Sequence, residues 1–160
     1  MLERSQVFVS SVPNDTSQIV RIGPHKFQCD EPRLHGGRDR GPAPIELACG
    51  ALGADLSMTI ANYARANSWP VDKIEVAVAH GQGPREMRDG TTRITAHFDC
   101  QVRIQGALSH AQRQTLVEVA RACPLQDALG GECEVRTRLS FAAAKLQPTR
   151  RAPEAARDSS

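Results

Sequence analysis

From Pro44 to about Asn67 no proline interrupts the chain, and Leu47, Ala51, Ala54, Met58 and Ala61 recur at helical spacing. Leu52, Leu56 and Ile60 widen the apolar surface until it runs nearly all round, while Gly50, Gly53 and the alanines permit close approach. Pro44 suits the first turn of a helix, where a missing N–H costs nothing. A helix of this length and apolarity belongs in an interior, and a small monomer has too little other chain to cover every side of it. The spacing therefore predicts a central helix, with one charged residue, Asp55, set inside it.

The remaining segments supply the walls. Residues 5–9, 17–22 and 25–29 read as short strands, the last two joined at the Gly23-Pro24 turn, and the Pro- and Gly-rich stretch 31–43 reads as an irregular loop. Alternation over 71–80 and 91–105 predicts two strands, each with one buried face, joined by a mobile loop over 81–90. Ser109 with Gln112 forms a capping-box pattern that opens a second helix running through Cys123, where Pro124 ends or kinks it. A Gly130-Gly131 break and a last strand over 133–141 follow. Three strands, a long helix, two strands, a helix and a strand predict an α+β fold of antiparallel sheets with buried helices.

At 160 residues the chain is expected to form a single domain over residues 1–141. The tail 142–160 carries Lys145, Arg150, Arg151 and Arg157 against Glu154 and Asp158, which accounts for the whole formal net charge of +2. It reads as a disordered basic end too short in like charge for a nucleic-acid arm. No run reaches the roughly 18 apolar residues of a membrane span, and the N-terminus lacks a secretory pattern, so a cytoplasmic protein that binds neither nucleic acid nor membrane is expected. The five cysteines, an odd number without CxxC spacing, read as reduced thiols. His97 and Cys100 have metal-like spacing, but alternation sends them to opposite faces, and no phosphate loop or hydrolase motif occurs, so neither metal nor cofactor is expected.

Several short motifs occur in order between Asp30 and Gly131: DEP at 30–32, GG-x-D-x-GP-x-P-x-EL at 36–47, ALGA-x-x-x-MT at 51–59, Tyr63-Ala64, WP-x-D at 69–72, and Cys123-Pro124. In these the chain resembles the OsmC and Ohr family, osmotically induced and organic-hydroperoxide-resistance proteins, and its OsmC-like branch in particular. The resemblance implies an intertwined homodimer in which antiparallel sheets from both subunits wrap two long central helices. It also implies a thiol peroxidase ancestry, in which a cysteine after the ALGA segment attacks an organic hydroperoxide and a second cysteine in the CP motif closes a disulfide. Carried over position by position, the second cysteine is Cys123, but the attacking position is Asp55. Of a glutamate pair before the helix leucine only Glu46 is matched, Ile45 standing at the other place, and Arg38 and Arg40 are nearby candidates for the activating arginine.

Peroxide reduction needs a thiolate, and a carboxylate has no counterpart of the sulfenic acid that sulfur forms. Cys49 is no substitute: six residues before Asp55 in a helix, it faces about 120° away and lies about 9 Å along the axis. Cys123, expected near a helix C-terminus and beside Asp55, should have a raised pKa and react slowly. A buried carboxylate must take a proton, meet an arginine or open to a wet pocket. Three readings follow. Peroxidase activity is lost or weakened; or Cys123 sustains a residual thiol peroxidase; or the old cleft around Asp55, Met58 and Cys123 binds a small hydrophobic ligand or uses its carboxylate as a base.

Overall fold

The computed structural model describes residues 6–87, 90–129 and 133–141. The expected disordered tail, the first residue of the first strand and the Gly130-Gly131 break lie outside them. The chain forms two compact units, Met1–Ala51 and Leu52–Ser160.

The first unit opens with an antiparallel meander of β1 (Val7–Ser11), β2 (Gln18–Ile22) and β3 (His25–Cys29), in spatial order β1-β2-β3. Gly23 turns β2 into β3 at φ 55°, a left-handed conformation that suits a residue without Cβ. The loop that follows holds a single 3-10 turn at Arg33–His35, and it is organised by one buried carboxylate. Asp30 accepts from Thr16 Oγ1 at 2.6 Å and from the backbone N–H groups of Glu31, Arg38 and Arg40 at 2.9, 3.1 and 3.2 Å. Gly37 and Gly41 sit so close to the carbonyls of Glu31 and Gln28 that a Cβ at either would collide with them. The DEP and GG-x-D-x-GP segments are thus two halves of one folded loop.

These hydrogen bonds, led by the one from Thr16, hold the Asp30 carboxyl down at about 2, against an ordinary value of 3.8. A carboxyl whose pKa falls on folding adds stability that is full above the ordinary value and is lost as pH drops through the folded one. Acid unfolding should therefore draw on Asp30 between about pH 4 and 2. Asp30→Asn is expected to be less stable at neutral pH and to lose its deficit relative to the parent across that window, as read by circular dichroism in acid titrations. An unchanged deficit at pH 2 would show that the loop is not held by this charge.

Helix α1 (Pro44–Ala66) matches the predicted bounds to within a residue and runs through the boundary between the units. In the second unit Leu52, Leu56, Ile60 and Ala64 form its buried stripe, three of them with no exposure at all. Gly53 lies where a Cβ would approach Val78 at 3.3 Å. The opposite side is bare: Ala54 and Ala61 are exposed and Met58 is 57% exposed. Within one chain α1 is therefore covered on one side only.

The second unit holds a sheet in order β4-β5-β6, formed by Lys73–Glu86, Thr92–Gln105 and Glu134–Ser140. Phe98, Cys100, Val102 and Ile104 alternate inward along β5, as the periodicity predicts. Two expectations are corrected. Gly81 to Glu86 is strand, not loop, paired with Thr92 to His97. Pro84 is tolerated because β4 is an edge strand, and the two glycines leave room for the His97 ring, which a Cβ on Gly81 would meet at 2.8 Å. The sheet is also not wholly antiparallel, because β6 runs parallel to β5. Parallel neighbours need a crossover, which here consists of α2 (His110–Arg121) and α3 (Pro124–Leu129).

Ser109 caps α2 as expected: its side chain accepts from the Gln112 N–H, and Gln112 accepts from the Ser109 N–H at 2.8 Å. Leu116 and Ala120 are its buried face.

Candidate functional site

Asp55 and Cys123, 68 positions apart in sequence, meet in the second unit. Two local features of the chain bring this about. Asp55 lies one position before Leu56 on α1, half-exposed at the border of the buried stripe. Cys123 stands between α2 and α3, fully buried, and Pro124 opens α3 because its fixed φ and missing N–H suit a first helical position. The Cys123 Sγ–H donates to Asp55 Oδ2 at 2.7 Å, and the Leu125 N–H donates to the same oxygen at 2.9 Å.

Asp55 thus performs two tasks with one oxygen. It takes the proton end of the thiol, and it satisfies one of the backbone donors that a helix N-terminus leaves without an intrahelical partner. Of the three fates open to a carboxylate in this helix, half-exposure with two donors is the one realised. No arginine forms an ion pair with it among the described residues.

The Cys123 thiol is pushed up, first by burial and next by its hydrogen bond to Asp55, while the backbone N–H groups of Gln126 and Leu125 pull it partly back. The expected direction holds and Asp55 is one of its causes, as expected, but the helix-end cause does not hold. Cys123 precedes a new helix, α3, where the sequence pattern had placed it at the C-terminal end of α2; the local peptide dipoles therefore favour a thiolate, and burial with the Asp55 contact outweighs them. The thiol is held as a donor.

The other residues singled out from the sequence have different tasks. Glu46 is exposed and accepts from the Ala43 N–H at 2.9 Å, tying down the start of its own helix. Arg38 and Arg40 both reach Asp15 Oδ2, at 3.3 and 3.0 Å. Cys49 is buried, its thiol pushed up by burial and then by Glu46. The participant that sequence reading missed is Leu125, which acts through its backbone and leaves no side-chain signature. The proline after Cys123 was the one available hint that a helix starts there. Among the described residues no three metal-ligating side chains gather, and no helix is long and apolar enough to cross a membrane.

Comparison with solved structures places this arrangement in a known fold. The chain is similar to an OsmC-like protein from Mycoplasma pneumoniae, with a TM-score of 0.71 at 16% identity over 89% of this chain and 100% of that one. It is also similar to the organic hydroperoxide resistance protein OsmC from Legionella pneumophila (0.62, 18%, 88% and 98%). A third similar structure is an organic hydroperoxide resistance protein from Elizabethkingia anophelis (0.63, 17%, 89% and 99%). No curated protein matches. The family model described as OsmC-like protein matches residues 36–138, nearly two-thirds of the sequence, from the glycine loop through α1 and the Asp55–Cys123 contact to β6. The chain belongs to the OsmC-like family.

Proposed function

We propose that this chain is a cytoplasmic OsmC-like homodimer, one domain over residues 1–141, in which two-sulfur reduction of organic hydroperoxides is lost or strongly weakened. The observation that carries this reading is the 2.7 Å contact in which Asp55 stands opposite Cys123 and accepts a hydrogen bond from its thiol. A sulfur that attacks an O–O bond has to be ionised and reachable. Cys123 is fully buried and its thiol is pushed up. Both facts weigh against a residual peroxidase built on Cys123.

The homodimer is supported by apolar surface that one chain leaves bare. Besides Met58 on α1, Val7, Phe8 and Val9 are 55%, 60% and 60% exposed. Successive strand residues point to opposite faces, so both faces of β1 lack cover. Exposed apolar area on that scale marks an interaction surface.

Purified protein is expected to consume cumene hydroperoxide in the presence of a dithiol no faster than a Cys123→Ala variant does. Turnover well above that variant would overturn the reading and place the chemistry at Cys123. The ligand-binding alternative rests on the half-exposure of Asp55 beside exposed Met58. A saturable thermal shift with a small apolar amine, lost in Asp55→Asn, would select it.

A further inference from the structure

One face of the β4–β5 arm, half-buried at Gly81, Gly83, Arg85, Thr95 and His97, holds an arrangement that the Asp55 site does not explain. The register sets Arg85 directly opposite Arg93. Opposed residues of an antiparallel pair share a face, with Cβ atoms about 5 Å apart, and like charges placed so are destabilising. Arg93 is exposed, whereas Arg85 is half-buried and its Nη1 is shielded from solvent without a hydrogen-bond acceptor. Among the described residues no carboxylate lies within ion-pair distance of either guanidinium.

Two acids of the same sheet, Glu134 and Asp99, are already engaged. Glu134, on which Arg85 exerts a weaker pull, is gripped by Arg136 through Nε at 2.9 Å and Nη2 at 2.7 Å. Asp99 lies 3.6 Å from His97 Nε2 and 3.9 Å from Arg136 Nη1. Alternation places Gly81, Gly83, Thr95 and His97 on the same face as the two arginines. The glycines carry no side chain to fill the space beside Arg85, and the His97 ring borders it, 3.7 Å from where a Gly83 Cβ would stand.

We propose that this face binds an oxyanion, a phosphate or carboxylate group, bridged between Arg85 and Arg93. Opposed residues put two guanidinium groups on one face, and each offers several planar N–H donors, the geometry that phosphate and carboxylate oxygens accept in pairs. The bound anion turns a repulsive cross-strand pair into two charge-assisted contacts.

The test is calorimetric titration of the full chain with inorganic phosphate, and in parallel with acetate, at constant ionic strength made up with chloride. Saturable binding is expected for at least one of the two, the tighter naming the source of the oxyanion. Arg93→Gln should weaken it by about tenfold or more. Because Arg93 is exposed, that variant should fold, and without anion it should be at least as stable as the parent, since a like-charge contact has gone. Arg85→Gln should weaken binding equally. Absence of saturable binding by either anion, or binding unchanged in Arg93→Gln, would overturn the proposal.

Discussion

Asp55→Cys is expected to switch on organic hydroperoxide reduction, raising turnover above the parent by about 100-fold or more. That gain is modest beside the roughly 10⁴- to 10⁶-fold that removing a member of a fully evolved nucleophilic site can cost. The reasoning is geometric. Asp55 reaches Cys123 Sγ at 2.7 Å, so a thiol attached to the same Cα lies beside the second sulfur. The Leu125 N–H that now donates to the carboxylate, at 2.9 Å, points into the same spot and favours an anion there.

In the expected cycle the new thiolate attacks the O–O bond, an alcohol leaves after taking up a proton, and sulfenic acid remains on sulfur. The Cys123 thiol then condenses with it, releasing water and leaving a disulfide that the dithiol reduces. Mass spectrometry of the peroxide-treated variant should show the loss of two hydrogens, and Cys123→Ala in the same background should stop turnover after the first oxidation. Asp55→Ser is the matched control: it keeps a short oxygen acceptor for α3 and stays inactive. Losing the carboxylate also removes the acceptor of the Leu125 N–H, a helix-cap change that costs about 0.5–2 kcal/mol. The variant should therefore melt lower than the parent while still folding. A folded variant with no activity would mean that more than residue 55 separates this site from a working peroxidase.

Met58→Glu is expected to split the proposed homodimer. Met58 is more than half exposed in the single chain, on the side of α1 that also bears Ala54 and Ala61, so a charge there costs the isolated subunit little. In a dimer it would lie at the centre of a contact between two copies of the same helix, where small neighbours let the backbones approach and an unpaired carboxylate loses its water. A central interface residue of this kind is worth about 2–4 kcal/mol, or roughly 30- to 1000-fold in the dimer dissociation constant. Light scattering should report dimers for the parent and monomers for the variant at micromolar concentration. A variant as dimeric as the parent would move the interface away from this face of α1.

Local rules accounted for much of the architecture. The helix bounds, the Ser109–Gln112 capping box, the Gly23-Pro24 hairpin and the inward alternation of β5 all follow from interactions within a few residues, and the fold class follows from their order. Where sequence reading went astray, a partner outside the segment itself decided the outcome. Gly81 to Glu86 carries the punctuation of a loop, and only pairing with Thr92 to His97, with an imidazole resting beside the glycines, makes it a strand. Cys123 has the signature of a helix end, yet a second helix begins at Pro124, and Asp55, far away in sequence, supplies an acceptor for its Leu125 N–H.

Periodicity and side-chain chemistry are local properties of the chain, and from them alone come its α+β class, its long apolar helix and the carboxylate, Asp55, set inside that helix. Tertiary structure alone decided that Asp55 faces Cys123, that one carboxylate oxygen serves both a thiol and a helix terminus, and that Arg85 faces Arg93. Hydrogen bonds and charge contacts depend on distances through space, and only the folded backbone sets these.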